Sequence, residues 1–452
     1  MIDDHIDEPA TGRRARSLGS NYRRVYAASV ISNLGDGVAQ IGYPWLASAV
    51  TRNPILVALV AVAQRLPWLV FTLPAGVITD RVDRRRAIVL MDSLRAGLTV
   101  LVAIAVLGLG DSLPEPDALE AVTGTRTGLY AILLVATLLL GMAEVLRDNS
   151  AQTIIPAIVA PEHLERANGR MWSAEQVANT FIGPPLGSFL LAGAFFLPFV
   201  LDAASFAVAA ALVFLVTGQF RARSATGEQT VGDAARTSGK TELAEGVRWL
   251  MAHPLLRPMA IVLGVMNAVG MLWGATLILF AQEVLDTSPL EFAFLSMGLA
   301  VGAVAGGYAT ATLKDRLGTG PTLWLTLISS AVLPIPVAFT SWWPLVFFVF
   351  VVYTFFGVAW NVITVSLRQT IIPDHLLGRV NSVYRFFAWG MMPIGTIIGG
   401  LTVAIVEPWQ GREAALRAPW LVAAVLGTLL LFYAIPRLTS EKMDAARAEA
   451  RA

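Results

Sequence analysis

The sequence predicts an all-α polytopic membrane protein, with twelve transmembrane helices in two parallel six-helix repeats and both termini in the cytoplasm. Three observations support this fold class. The 452 residues are 56% hydrophobic and only 14% charged, whereas roughly a quarter of the residues in a soluble domain are charged. Apolar runs of about 20 residues, long enough to cross about 30 Å of hydrocarbon as helices, recur along the whole chain. Short motifs also return at nearly constant spacing.

The apolar runs define the predicted helices. Each is about twice the roughly 10-residue length of a strand in a membrane barrel, which favours helices. A core helix of a soluble protein would explain a single run, but it does not explain a long series of them. The predicted helices, in chain order, cover residues 25–49, 55–78, 87–110, 128–147, 167–191, 197–217, 255–281, 289–312, 321–339, 343–367, 379–405 and 419–436.

Charge in the connecting segments predicts the orientation. The N-terminal stretch MIDDHIDEPATGRRARS has no short apolar core followed by a small-residue cleavage site, so we expect it to stay in the cytosol. Arginine and lysine concentrate before the first helix, in GVITDRVDRRR at 76–86, in segment 218–250 and in the C-terminal tail. The opposite loops hold few basic residues. Because cytoplasmic loops carry the excess of lysine and arginine, both termini are predicted to lie inside.

Internal repeats predict two equivalent halves. QTIIP at 152–156 returns at 369–373, an offset of 217 residues, and the pair Asp80–Arg81 returns as Asp315–Arg316 at an offset of 235 residues. Parallel repeats are typical of transporters whose binding site lies between the halves. The predicted divisions are a cytoplasmic tail at 1–24, an N-terminal half at 25–217, a cytoplasmic linker at 218–250, a C-terminal half at 251–436 and a cytoplasmic tail at 437–452.

The loop at 76–86 carries a family resemblance. Gly76, Asp80, Arg81 and Arg84, followed by two more arginines, form G-x-x-x-D-R-x-x-R-R-R, which resembles the signature loop between helices 2 and 3 of the major facilitator superfamily. Asp83 stands where glycine is usual in that loop.

A stretch of the fifth predicted helix carries a second resemblance. In NTFIGPPLGS, Gly183, Pro184 and Gly187 resemble the antiporter signature of the superfamily's drug:proton exporters, with Asn179 in place of an expected glycine. With NLGDGVAQ and HLLGRVNSVYR, the chain is similar end to end to the branch that contains macrolide and tetracycline efflux pumps and enterobactin-type siderophore exporters. We expect the glycines to permit close approach to a helix of the other half.

The resemblance implies a cytoplasmic gate. Asp80 would rest against the N-terminus of the eleventh helix near Arg379, since a helix N-terminus holds a carboxylate well, and Arg84 would bridge Asp80 to Asp148. The simpler alternative is that these residues are solvated charges that only set the topology. The candidate gate residues are Gly76, Asp80, Arg81, Arg84, Asp148, Asp315 and Arg316.

Polar residues inside the membrane are costly, which makes them candidates for a functional site. Asn33, Asp36 and Gln40 share one face of the first helix. Asp36 and Arg65 both lie roughly 15 Å deep, counted at 1.5 Å per residue, so we expect them to pair and to take part in proton coupling. The alternative role for Asp36 is a hydrogen bond to neighbouring helices. Glu175, four residues from Asn179, is the second coupling candidate.

Further residues are weaker candidates. Asp92 and Arg95 are expected to neutralise each other, and Glu144, Arg147 and Asp148 to lie at the cytoplasmic end of the fourth helix, with Asp202 a further cavity candidate. Tryptophans are also common as packing and interface residues. The predicted cavity lining is Asn33, Gln40, Asn179, Asn267, Trp273, Asn361, Arg385 and Trp389.

These observations predict a proton-coupled exporter of amphipathic small molecules, monomeric, in the bacterial cytoplasmic membrane. The chain has no cysteine, no GxxxxGK[ST] loop for ATP and no HExxH or other metal-ligand spacing among its histidines. We therefore expect no enzymatic activity, no metal and no cofactor, with the proton as coupling ion, and no nucleic-acid partner. The alternatives are a dedicated siderophore, lipid or metabolite exporter, and a membrane scaffold or sensor that moves no solute.

Overall fold

The protein is described by a computed structural model that covers residues 18–108, 113, 119, 122, 124–160, 163–218, 220, 244–372 and 374–450. Over these ranges the chain is all helical, and the only β contact is an isolated bridge between Thr51 and Thr125. Residues 1–17 of the predicted N-terminal tail and most of the predicted linker at 218–250 fall outside these ranges.

The N-terminal half contains eight α-helices and one π-helical segment. Their bounds are α1 Ser20–Val50, α2 Pro54–Val70, α3 Thr72–Arg81, α4 Arg84–Gly108, α5 Thr127–Ile158, α6 Leu164–Gln176, the π segment Val177–Ile182, α7 Gly183–Gly193 and α8 Leu197–Phe214.

The C-terminal half begins with α9 at residues 244–252. The helices that follow are α10 Leu256–Gly274, α11 Leu277–Glu283, α12 Pro289–Leu317, α13 Thr319–Val332, α14 Pro334–Phe339, α15 Trp343–Ile371, α16 Asp374–Gln410, α17 Arg412–Ala434 and α18 Ser440–Glu449.

Nine helical segments in the described ranges are long and apolar enough to cross a membrane, and two of them are the pairs α10–α11 and α13–α14. The three other predicted spans correspond to α1, to the α2–α3 pair and to the run from α6 to α7. The α2–α3 pair and the α6–α7 run are interrupted helices. Most of the predicted cavity amides and acids lie on α1 and on the α6–α7 run. The number twelve and the orientation of the termini stay predictions.

Prolines explain the π segment that precedes α7. Pro184 and Pro185 have no N–H to give to the carbonyls four residues earlier, Thr180 and Phe181, so the regular α-helical ladder is interrupted there. A wider turn spanning Val177–Ile182 accommodates the loss, as π segments often do at functional sites.

The same pairs of helices pack in each half. In the N-terminal half α1 packs on α7 and α8, α2 on α5, and α4 on α8; in the C-terminal half α10 packs on α16 and α17, α12 on α15, and α13 on α17. The halves meet where α2 lies against α16 and α7 against α12. We call the end where α3 and α4 join the signature-loop end, and the end where α1 and α2 join the opposite end.

Candidate functional site

A cavity of about 180 Å³ lies among the helices of the N-terminal half. Its wall is formed largely of polar and charged side chains, with Tyr43, Trp68 and Phe206 as aromatic members. The ionisable or amide side chains in this wall are Asp36, Gln40 and Tyr43 of α1, Gln64 and Arg65 of α2, Arg95 of α4, Glu144 of α5, Asn179 of the π segment and Asp202 of α8.

Asp36 is 26% exposed, and its carboxylate forms an ion pair with Arg95. Arg95 also lies 3.8 Å above the ring centre of Phe206 and donates a 3.4 Å hydrogen bond to Ser32. The predicted pairing of Asp36 with Arg65 is wrong, although both line the cavity. Depth in the membrane follows from counting residues along a helix, but the direction of a side chain around the bundle does not.

Arg95 and Asp92 belong to a longer series of charges. Arg95 lies 3.7 Å from Asp92, which in turn lies 3.5 Å from Arg147, and Arg147 lies 3.1 Å from Asp148. The predicted neutralisation of Asp92 by Arg95 is therefore only part of the arrangement. Asp92, Arg95 and Arg147 are buried, so the side chain of Arg147 is enclosed by protein and pairs with acids on either side.

A second line of contacts joins the amides that were predicted to line the cavity. Gln40 donates to the side-chain oxygen of Asn179, and Asn179 donates to Asn33 at 3.4 Å. Ser29, which accepts from Asn33, donates to Glu175 at 3.4 Å. The structure thus brings both coupling candidates near one face of α1, Asp36 in the cavity wall and Glu175 one step beyond the amides.

The glycines of the antiporter-like stretch pack within their own half. A side chain at Gly183 would meet the backbone of Gly37 at 2.5 Å, and one at Gly187 would meet the carbonyl of Val38 at 2.6 Å. Gly183, Pro184 and Gly187 are buried. The expected approach to a helix of the other half is wrong for these glycines, because α1 occupies the space; the following Ser188 makes the cross-half contact, donating to the Pro289 carbonyl at 2.7 Å.

The signature loop differs from the predicted gate. Gly76, Asp80 and Arg81 lie in α3, but their side chains, like that of Arg379, lie outside the described residues. Arg84 donates to the Thr153 carbonyl at 3.0 Å rather than to Asp148, whose ion-pair partner is Arg147. The predicted bridge from Arg84 to Asp148 is therefore absent from this arrangement.

The repeat of the loop in the second half is solvated. Asp315 and Arg316, in the last turn of α12, are exposed, and the ion-pair partner of Asp315 in the described part of the chain is Lys314 at 3.9 Å.

Asp83 has a role that the usual glycine could not fill. Its carboxylate accepts from the backbone N–H of Arg86 at 3.0 Å, the contact expected of a residue that caps the start of α4. The other carboxylate oxygen accepts from the Phe220 N–H at 2.9 Å. Asp83 thus starts α4 and holds the chain that leaves α8.

The C-terminal candidates are dispersed. Asn267 donates to the Ala388 carbonyl at 2.8 Å and ties α10 to α16, and Asn361 is exposed, with a 3.4 Å bond to Gly357 in its own helix. Trp389 lies edge-on to Trp68 at 5.9 Å between ring centres, beside the cavity. The side chain of Arg385 lies outside the described residues.

Trp273 is not a cavity residue. It is 6% exposed and stacks on Trp420 with 4.7 Å between ring centres. It also stacks on Phe350 with 5.2 Å between ring centres. This prediction is wrong because an amphipathic aromatic ring packs in a core as readily as it lines a cavity.

Glu144 was not recognised as a site residue in the sequence, yet it lines the cavity. The rule that intramembrane acids mark functional sites would have selected it. Asp202, a predicted cavity candidate, also lines the cavity; it is 1% exposed, and one of its carboxylate oxygens has no hydrogen bond.

Charged residues also join the halves at the opposite end. Arg52, between α1 and α2, forms an ion pair with Glu283 and donates to Gln282 at 2.6 Å. Arg412 bonds the same Glu283 at 2.8 Å and the Arg52 carbonyl at 2.8 Å. The available signal was that Arg52 and Arg412 are among the few basic residues on the side predicted to be poor in them.

A helical membrane bundle with a polar cavity in one of two similarly packed halves defines a membrane-embedded transporter. The chain matches the family model described as Major Facilitator Superfamily over residues 25–396, and it belongs to that superfamily, whose members are transporters rather than enzymes. The predicted family is confirmed.

Relatives and solved structures agree with this assignment. The Multidrug efflux pump Tap of Mycolicibacterium fortuitum is 26% identical over 410 residues, 89% of this chain and 94% of that protein. The Enterobactin exporter EntS of Shigella boydii serotype 4 is 24% identical over 414 residues, 91% of each chain. A bacterial homologue of the iron transporter ferroportin in an inward-facing state has a TM-score of 0.64 at 17% identity, covering 92% of this chain and all of that one.

Proposed function

We propose that this protein exports amphipathic small molecules in exchange for protons by alternating access, with Asp36 as the coupling acid. The observation that carries the proposal is that Asp36 is a partly exposed acid in the cavity wall, paired with an almost fully buried arginine. A carboxylate in the membrane interior is stabilised either by a cation or by taking up a proton. Asp36 can therefore either pair with Arg95 or take up a proton, so its protonation is linked to the position of Arg95.

The cavity wall supports an amphipathic substrate. Trp68 and Phe206 provide aromatic surface beside Asp36 and Glu144, and Trp389 of the other half adds a ring next to Trp68. Aromatic rings bind apolar groups and also attract cations at their faces. The multidrug efflux pump among the relatives is consistent with a substrate of this kind.

Alternating access requires contacts between the halves that can break. The cluster formed by Arg52, Glu283 and Arg412 joins the halves at the opposite end, and Ser188 adds a bond from α7 to Pro289. We propose that these contacts close the opposite end in one state and separate in the other.

We also propose that the protein acts as a monomer in a bacterial cytoplasmic membrane and needs no cofactor.

A second candidate function is the export of an anionic metabolite such as a siderophore. The observation that favours it is Arg65, which is exposed in the cavity wall and has no ion pair in the described part of the chain. The enterobactin exporter among the relatives is consistent with this alternative.

The test is substrate-driven proton movement in proteoliposomes with a pH dye inside. A panel would include macrolides, tetracyclines, a lipophilic cation and a catecholate. We expect a compound to drive proton flux through the native protein and through Asp444→Asn, a matched change of an acid in a surface pair on α18. Asp36→Asn should lose the flux.

Each outcome selects a function. Flux driven by cationic drugs supports the first proposal, and flux driven only by the catecholate and lost in Arg65→Gln supports the second. Flux that survives in Asp36→Asn contradicts Asp36 as the coupling acid and moves attention to Glu175. No flux or transport for any compound, with folded protein, would favour a scaffold or sensor.

A further inference from the structure

A chain of alternating charges runs from the cavity toward the signature-loop end of the N-terminal half. We call Asp36, Arg95, Asp92, Arg147 and Asp148 the charge chain. Its two end acids are partly exposed, 26% for Asp36 and 32% for Asp148. Its three inner members are buried, with side chains exposed by 5% or less. The two ends are therefore accessible, and the middle is enclosed by protein.

The inner acid is poorly satisfied. Both carboxylate oxygens of Asp92 lack a hydrogen bond, since Arg95 and Arg147 stay 3.7 and 3.5 Å away. Each arginine lies closer to the end acid on its other side, Arg95 to Asp36 and Arg147 to Asp148. A buried acid without hydrogen bonds is costly, so a small movement of either arginine toward Asp92 would be favourable whenever its end acid releases it.

We propose that Asp92 and Arg95 are positioning residues that transmit the protonation of Asp36 to Asp148 and hence to the signature-loop end. The inference rests on the proposed function, because it takes Asp36 as the site of the coupling proton.

The physical sequence is short. A proton from the cavity binds the Asp36 carboxylate and removes the negative charge that holds Arg95. Arg95 then moves onto Asp92, which gains the hydrogen bonds it lacks. Arg147 no longer has to neutralise Asp92 and pairs fully with Asp148. Loss of the proton from Asp36 to the cavity reverses each movement, so the charge chain has two arrangements that one proton selects.

The charge chain reaches α4 and α5, the helices that hold the signature loop. Asp92 and Arg95 lie on α4, which begins at Arg84 within the signature loop. Asp148 lies on α5, five residues before Thr153, whose carbonyl accepts the bond from Arg84. A shift of charge at Asp148 therefore acts on the helix to which the loop is anchored.

Other ionisable groups face the charge chain. None of them forms an ion pair with Asp36, whose ion-pair partner in the described part of the protein is Arg95. They are Tyr43 on α1, Arg65 on α2, Glu144 on α5 and Asp202 on α8 around the cavity, and Glu175 on α6 toward Asp148. Their charges set the pH at which Asp36 responds, but only Arg95 links Asp36 to Asp92.

Distance measurements between spin labels test the proposal. The chain has no cysteine, so single cysteines at Gln152 on α5 and Leu317 on α12, both exposed at the signature-loop end, would take the labels specifically. The full-length protein in nanodiscs is measured at mildly alkaline and mildly acidic pH. We expect acid to shift the distance distribution in the native sequence and in the Asp444→Asn control.

The variants then isolate the charge chain. Asp92→Asn should lose the acid-induced shift, and Asp36→Asn should show the acidic distribution at both pH values. Asp92→Glu, which keeps the charge, should retain the shift. Arg95→Lys keeps a cation but is too short to serve both acids; it should reduce the shift and provides a second test if Asp92→Asn does not fold.

Two results would overturn the inference: an unchanged acid-induced shift in Asp92→Asn, or no shift in the native sequence. Proton flux in the same variants separates this failure from failure of the proposed function. Flux without an acid-induced shift removes the charge chain and leaves proton-coupled export intact. A shift that depends on Asp92, without flux for any compound, supports the charge chain and contradicts export.

Discussion

The two halves of the molecule pack their helices in the same pairs but fill the centre differently. In the N-terminal half the centre holds Asp92, Arg95 and Arg147, all buried. In the C-terminal half it holds aromatic rings, with Trp273 stacked on Trp420 at 4.7 Å and on Phe350 at 5.2 Å. The aromatic rings carry no charge to redistribute, whereas each arginine of the charge chain lies within 4 Å of two acids.

The internal repeat shows where the halves diverged. At the 217-residue offset of QTIIP, Glu144 corresponds to Asn361 and Arg147 to Thr364. Charged positions in one half are thus neutral in the other. The comparison teaches that the packing of the helices is repeated in both halves, whereas the charges of Glu144 and Arg147 belong to the N-terminal half alone.

The largest expected effect comes from breaking the charge chain. Arg147→Met leaves Asp92 buried with one distant cation, and removal of one partner from a buried ion pair costs about 3–5 kcal/mol. The measurement is denaturant unfolding in detergent. Arg447→Met, which removes a surface pair with Asp444 on α18, should cost less than about 1 kcal/mol. Equal losses for the two variants would contradict the importance of burial.

An effect of similar size should follow from Trp273→Ala in the C-terminal half, about 3–5 kcal/mol for a large aromatic side chain removed from a core. The distinction lies in the pH profile of proton flux, which Arg147→Met should alter and Trp273→Ala should leave unchanged. Trp409→Ala, at a site 86% exposed, is the matched control. A changed pH profile in Trp273→Ala would contradict a purely packing role for this residue and would indicate that it lines the transport cavity.

A smaller effect is expected at the contact between α7 and α1. Gly187→Ala places a methyl group 2.6 Å from the Val38 carbonyl, against backbone that cannot rotate away, and overpacking of this kind costs about 1–3 kcal/mol. Gly97→Ala on α4 meets nothing within 4 Å and should stabilise the protein by up to about 1 kcal/mol. Thermal unfolding of both variants gives the sign directly, and a stabilised Gly187→Ala would show that α1 and α7 are not in contact.

The smallest effect concerns His253, just before α10. Its Nδ1 accepts from the backbone N–H groups of Leu255 and Leu256 at 3.2 Å. Burial lowers the pKa of His253 from its ordinary value of 6.5, and the charge of Glu449 opposes this only in part. The neutral ring is therefore favoured in the folded state.

The stability from His253 is fully present above pH 6.5, the ordinary pKa of the ring, and is lost as the pH falls below it toward the lowered folded pKa. We expect a loss of at most about 1 kcal/mol, the scale of one hydrogen bond. His253→Asn keeps an acceptor for the helix start but does not titrate, so its unfolding should show less pH dependence in this range. An identical pH dependence in both proteins would contradict the assignment.

Sequence reasoning was strongest where one dimension suffices. Helix length, loop charge and repeat spacing are properties of the chain read in order, and they predicted the helical membrane bundle. The resemblance of short motifs, such as the loop at 76–86, predicted the family. The face shared by Asn33, Asp36 and Gln40 was also predictable, because helical periodicity sets it. Contacts between helices were less so: Asp36 was matched with Arg65 by depth, yet it pairs with Arg95, since rotation around each helix is set by packing.

The sequence by itself determined a helical membrane bundle, because long apolar runs are too costly to leave in water and span the hydrocarbon core as helices. The resemblance of its short motifs predicted the Major Facilitator Superfamily, which the family model confirms. Only the tertiary structure decided which charges meet. How helices far apart in the chain are rotated toward one another decides which acids pair with Arg95. The same rotation buries Arg147 and places Trp273 in the core. Close packing fixes that rotation through contacts such as Gly187 on Val38, and no local pattern encodes it.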